Sequence, residues 1–238
     1  MDALIYSAVF AAIAVLLGIG TRFVDRKILL LSCILFGVYL GIDDFVTGAP
    51  NAFKSLDFIG GHWNWTGKFF SLVLAIAVIV GLKLNRRAVG LVAPYKNQKC
   101  SLIVMFVLIL LSAGLGFVFA SGTPSNETIL FQATMPGFAE ELAYRGIAPA
   151  LLLGLMDNRD PDEKMHWPVI IAAGIMFSLW HGLGYKGGNF SFDMISASFT
   201  LLGGIAYGWL RFKSGSLLYP LIAHCAGNLV FQLIPLLA

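Results

Sequence analysis

The chain has 238 residues, of which 58% are hydrophobic and only 12% charged, against about 25% charged in a soluble domain. That balance excludes an ordinary soluble enzyme. A formal charge of +3 with no basic stripe or Lys/Arg-rich tail also excludes a nucleic-acid partner. The three cysteines, Cys33, Cys100 and Cys225, have no paired spacing, so they read as small buried hydrophobes rather than a disulfide framework or thiolate metal site.

A membrane-spanning helix needs about 20 mostly apolar residues. Apolar runs predict spans over Ala3–Val24 and Ile28–Val46. A polar, aromatic-rich stretch follows from Thr47 to Lys68, with Trp63 and Trp65 placed as interface anchors would be. Further spans are predicted over Phe69–Leu84 and Leu102–Ala120, then over a longer run, Ile129–Met156, interrupted by Pro136 and Pro149. The last three are Trp167–Gly184, Phe190–Leu210 and Leu217–Leu237. The expectation is therefore an all-α polytopic bundle of about eight helices. It forms a single transmembrane domain over 1–238, with four N-terminal spans in 1–124 and the candidate catalytic region in 125–238. Only Asp2 precedes the first apolar run and the basic residues follow it, which suits a retained helix rather than a cleaved leader.

The basic residues alternate between connections. Arg22, Arg26 and Lys27, then Lys83, Arg86, Arg87, Lys96 and Lys99, then Arg159 and Lys164, then Arg211 and Lys213 are 12 of the 16, all after odd-numbered spans. Lys54, Lys68 and Lys186 fall on the other side, and Arg145 lies inside a span. The positive-inside rule then puts the odd-numbered connections in the cytoplasm and both termini outside.

Ionisable groups within spans are costly and mark function by default. The fifth run contains Glu140-Glu141-Leu142-Ala143-Tyr144-Arg145. Glu141 and Arg145 are four residues apart and can pair on one helix face, a supporting role. Glu140 is rotated about 100° from Glu141 and is left aimed elsewhere. The sixth run carries Phe177-Ser178-Leu179-Trp180-His181, and the eighth carries His224-Cys225-Ala226-Gly227-Asn228, where His224 and Asn228 share a face. Each signal alone is compatible with helix packing. Together they bring Glu, His, His and Asn to three helices: a carboxylate near a His can activate water, and a His with an Asn can stabilise an oxyanion.

These three motifs, Glu-Glu-x-x-x-Arg, Phe-x-x-x-His and His-x-x-x-Asn in that order on separate helices, resemble those of the CAAX-protease and bacteriocin-processing (CPBP, or Abi) membrane proteases. The likeness covers about Ser125 to Phe231 and includes Gly204 and Gly208 on the seventh helix and Ser214-Gly215-Ser216-Leu217 before the eighth. It implies a glutamate-dependent intramembrane endopeptidase. Glu140 would polarise water with His181, His224 and Asn228 would stabilise the oxyanion, and Glu141, Arg145 and Phe177 would give support. The implied substrate is a protein with a membrane-associated or lipidated C-terminal segment, met in the lipid of a bacterial or archaeal cell membrane.

No cofactor is expected. The alternative is zinc held by Glu140, His181 and His224, without a His-Glu-x-x-His motif to favour it. Two readings from other classes compete: a non-catalytic immunity or scaffold protein, and a proton-coupled transporter using Glu140 and the two His as a relay. No duplication between the halves supports the transporter. With the sixth and eighth helices running outward, His181 lies roughly 20 Å and Asn228 about 18 Å from their cytoplasmic ends. Those depths predict a cavity near the midplane, open to the extracytoplasmic face.

Overall fold

The computed structural model describes residues 1–154 and 164–237. Helices α1 (Asp2–Val24) and α2 (Leu30–Ala52) pack as an antiparallel hairpin. Small residues let their backbones meet. A Cβ on Gly41 would reach Ala11, one on Gly37 would reach Val15, and one on Gly18 would reach Cys33, so the contacts run in opposite directions along the two chains. The second helix continues six residues beyond its predicted end at Val46, through Pro50 to Ala52.

Helix α3 (Trp65–Gly81) starts before the predicted Phe69, because Asn64 caps it: its side chain accepts from the Gly67 N–H at 3.0 Å and donates to the Thr47 carbonyl at 2.8 Å. Lys68, expected in the connection, is therefore inside a helix and buried. The short α4 (Arg86–Val89) ends at Gly90, whose φ of +84° needs glycine. Arg211 donates through one Nη2 to the Arg87 and Ala88 carbonyls at 2.9 and 2.8 Å, satisfying the end of that helix. This arginine, expected in a connection, is instead buried in the last turn of its own helix.

Helix α5 (Gln98–Phe119) is followed by α6 (Asn126–Gln132) and α7 (Met135–Glu141), then a π-helical stretch, Leu142–Ile147, and α8 (Ala148–Leu152). The predicted fifth span thus breaks once, at Ala133 and Thr134, and then runs without interruption from Met135 to Leu152 through the π-helical stretch. Its expected end at Met156, with Arg159, lies outside the described residues, as does Ala238. Helix α9 (Trp167–Gly182) leads into a hairpin of β1 (Leu183–Lys186) and β2 (Asn189–Phe192), antiparallel with Lys186 opposite Asn189. Gly187 and Gly188 take φ of +58° and +84°, the double positive φ of a tight two-residue turn. The hairpin is a short interruption in an otherwise all-α bundle, the class the sequence predicts. It corrects two boundaries, since α9 stops before Gly184 and the next helix starts after Phe190.

Helix α10 (Met194–Ser214) is capped by Asp193, which accepts from the Ile195 and Ser196 N–H groups. It packs closely on α9 where Gly204 meets Gly174 and Gly208 meets Ile170. Helix α11 (Leu218–Leu233) ends in a 3₁₀ turn, Ile234–Leu236.

Among the described residues, four helical stretches are long and apolar enough to cross a membrane: Asp2–Val24, Leu30–Ala52, Gln98–Phe119 and Leu218–Leu236. Trp65–Gly81 and Trp167–Gly182 are shorter apolar helices. Large hydrophobic side chains such as Leu16, Val80, Leu110 and Leu202 are exposed on the outside of the bundle. The chain is an integral, multi-pass membrane protein. One apolar core ties its halves together, with Phe10, Phe36 and Leu40 packed in the same cluster as Ile147, Leu151, Leu152 and Met176.

Cys33 is buried as expected, but Cys100 is exposed, since it opens α5 where that helix leaves the basic connection. Trp63 and Trp65 are spent on α6: Trp63 stacks on Phe131 at 5.1 Å, and Trp65 meets it edge-on at 5.0 Å. Glu127 accepts from the His62 and Trp63 N–H groups and the Trp65 indole, fastening the connection before α3 onto α6. The Trp63 N–H, then the Trp65 indole, hold its carboxyl below the usual carboxylate range.

Candidate active site

Three helices from the second half and one from the first deliver polar side chains to a single cavity of about 1060 Å³. Glu140 comes from the last turn of α7, His181 from the end of α9, His224 and Asn228 from α11, and Lys68 from the first turn of α3. All five line the cavity. Much of its remaining wall is apolar, built from Leu108, Leu111 and Leu115 of α5 and Phe199, Leu202 and Ala206 of α10.

Glu140 is buried, and its two oxygens have different neighbours. Oε1 takes the Lys68 ammonium at 2.7 Å. Oε2 lies 3.7 Å from His224 Nε2 and 3.9 Å from His181 Nε2, too far for direct hydrogen bonds, and has no hydrogen-bond partner among the described residues. The far nitrogens of both rings are engaged. His181 Nδ1 lies 3.0 Å from the Phe177 carbonyl, which can only accept, so that nitrogen carries the proton. His224 Nδ1 lies 2.8 Å from Glu141 Oε1, and the same logic applies. In neutral imidazoles both Nε2 atoms are then acceptors. Three acceptors therefore face one small space, which suits a donor with two hydrogens: a water molecule.

Asn228 Nδ2 donates to Gln132 Oε1 at 3.1 Å, which fixes the carboxamide and leaves its second N–H without a partner among the described residues. The α7–α11 contact that sets these distances is close, for a Cβ on Gly137 would strike the Cys225 sulfur.

Behind the cavity, Arg145 Nη1 lies 3.1 Å from Glu141 Oε1, the expected pair, and its guanidinium sits 4.0 Å over the Phe177 ring. Phe177 in turn meets His181 edge-on at 4.5 Å, and Tyr207 stacks on His224 at 5.5 Å. Glu141 thus touches both Arg145 and His224, where the spacing argument had given it only the former. The π-helical stretch that begins directly after Glu141 is a device often found at functional sites.

Several of these residues escaped the sequence reading. Lys68 falls in a predicted connection, although a lysine abutting an apolar run on the lysine-poor side is an available signal. Gln132, Tyr207 and Trp180 carry no motif of their own.

The donor set does not fit the zinc alternative. Among the described residues no three His, Cys, Asp or Glu side chains form a group able to hold a metal ion. The Lys68 ammonium, moreover, already occupies one oxygen of Glu140.

The bundle gathers a carboxylate, two imidazoles and a carboxamide on one internal cavity, side chains of the kind that activate water. Residues 125–230 match the family described as Rce1-like type II CAAX prenyl endopeptidases, so the chain carries a domain of that family and is a protease. Neither a curated protein nor a solved structure matches the chain.

Proposed function

We propose that the protein is an intramembrane endopeptidase that cleaves a membrane-associated protein near its C-terminal tail with a water activated by Glu140. One observation carries this reading: Oε2 of Glu140 faces both Nε2 atoms across a gap, in the wall of a large and mostly apolar cavity. Water in that gap attacks the scissile carbonyl carbon as its proton passes to Oε2, with His181 holding the water in line. The second N–H of Asn228 donates to the oxyanion. His224 borders the same gap, its ring oriented by Glu141 at Nδ1, as a carboxylate orients a catalytic imidazole. Glu140 then returns the proton to the departing amine nitrogen, the C–N bond breaks, and an acid and an amine leave. The apolar walls accommodate a lipid chain or an apolar helix beside the scissile bond. The domain's family supports a prenylated C-terminal substrate, and it favours the protease over the scaffold and transporter readings.

The test is hydrolysis of an internally quenched peptide whose farnesylated cysteine lies three residues from its C-terminus. The purified protein is assayed in proteoliposomes, with products mapped by mass spectrometry. A single cut on the C-terminal side of the cysteine is expected, unaffected by a strong chelator. A cooperatively melting preparation that cleaves neither this peptide nor its unprenylated counterpart would count against the reading.

The alternating basic connections support eight crossings with both termini outside, so that the end of the bundle bearing the hairpin and the start of α3 faces the exterior. Tyr185→Cys is then expected to react with an impermeant thiol reagent in intact cells, in a background lacking the native cysteines. Arg86→Cys is expected not to. The reverse pattern inverts the topology and turns the site toward the cytoplasm.

A further inference from the structure

We propose that Lys68 is a positioning residue that separates the roles of the two Glu140 oxygens, anchoring Oε1 so that Oε2 alone is presented to water. The inference rests on the reading of Glu140 as the base. A glutamate carboxylate rotates readily about its last torsion, where the preference is broad and roughly two-fold. Left to the two imidazoles alone, at 3.7 and 3.9 Å, either oxygen of Glu140 could turn toward the cavity and neither would be held. The Lys68 ammonium, 2.7 Å from Oε1, removes that freedom. A compact ammonium acts as a point charge with donors and no acceptor, so it can hold one oxygen without covering the other. Oε2 is accordingly buried without a hydrogen-bond partner among the described residues.

The lysine is itself fixed. Its Nζ lies 4.3 Å from the centre of the Trp180 ring, and the Trp180 indole donates to Asp44 Oδ1 at 3.0 Å. Asp44 Oδ2 accepts from Ser7 at 2.5 Å. A chain of contacts thus runs from α1 and α2 through α9 to the carboxylate. Ser7, Asp44 and Lys68 all lie outside residues 125–230. On this proposal the N-terminal helices complete the catalytic carboxylate rather than only enclosing it.

The experiment measures kcat and KM separately on the farnesylated quenched peptide for Lys68→Met and Lys68→Arg, with thermal melting of each and Glu140→Gln as the control. Lys68→Met is expected to lower kcat at least about tenfold with KM within about threefold of wild type, the pattern of an interaction that serves the transition state. Lys68→Arg keeps the charge pairing and so keeps the fold, but its planar fork can engage both oxygens at once. Its kcat is expected to fall about tenfold with no loss of melting temperature, which a purely structural cation would not do. Wild-type kcat in Lys68→Met overturns the proposal, as does a raised KM alone, which would make Lys68 a substrate anchor. If Lys68→Met does not fold, Lys68→Arg decides, and wild-type kcat there overturns it equally. An active Glu140→Gln would instead sink the reading of Glu140 itself.

Discussion

Glu140→Gln is expected to lower kcat by at least about 10²-fold, the loss that follows removal of a general base, in a protein that still inserts, purifies and melts. Glutamine keeps the size of the side chain and can still accept from Lys68, but its amide cannot take a proton from water. Retention of the fold is not automatic, because Lys68 is buried and would lose its ionic partner. The Trp180 face at 4.3 Å and the remaining hydrogen bond soften that loss. Combining Glu140→Gln with His224→Ala or Asn228→Ala should add little, since residues that act as a unit are strongly non-additive. Near-normal hydrolysis by a clean Glu140→Gln preparation would remove Glu140 from its role. Losses that multiply across the double variants would make His224 and Asn228 structural.

How much of this was legible in the sequence differs between site and fold. Glu140, His181, His224 and Asn228 each sit in an apolar run where a polar group is costly, so each announces itself, and all four line one cavity. The Glu141–Arg145 pair followed from helical spacing alone. Lys68 did not, because its placement depends on where α3 begins, and Asn64 moves that start four residues ahead of the apolar run by capping. The contact from Glu141 to His224 depends on the angle between α7 and α11, which no local pattern encodes. Residues 183–192 show the opposite failure. The turn signal Gly187-Gly188 was present, but runs scored for length and apolarity pass over a short hairpin between two helices. The break of the fifth span before α7 was visible in Pro136, while the π-helical stretch ahead of Pro149 interrupts nothing.

Arg145→Ala is expected to cost the protein its folded yield before it costs any chemistry. Arg145 and Glu141 are almost fully buried and paired at 3.1 Å, and removing one partner of such a pair can cost about 3–5 kcal/mol by leaving a lone charge in a dry interior. The guanidinium also covers the Phe177 ring at 4.0 Å, so truncation opens a void against the helix that carries His181. Neutralising both ends, as in Glu141→Gln with Arg145→Met, removes the stranded charge and fills the space. Its melting temperature should recover toward wild type, as replacement of a buried pair by apolar volume often allows. Activity should not recover with it. Glu141 Oε1 is also the partner of His224 Nδ1 at 2.8 Å, and an amide there does not orient the imidazole as firmly. The double variant should therefore be folded and slow, with substrate binding intact. Thermal melting in detergent, beside kcat and KM on the quenched peptide, separates the two contributions. A fully stable but inactive Arg145→Ala would refute the structural assignment and move the arginine into the catalytic set. A double variant restored in both stability and rate would show that Glu141 serves the fold alone, and that His224 needs no carboxylate behind it.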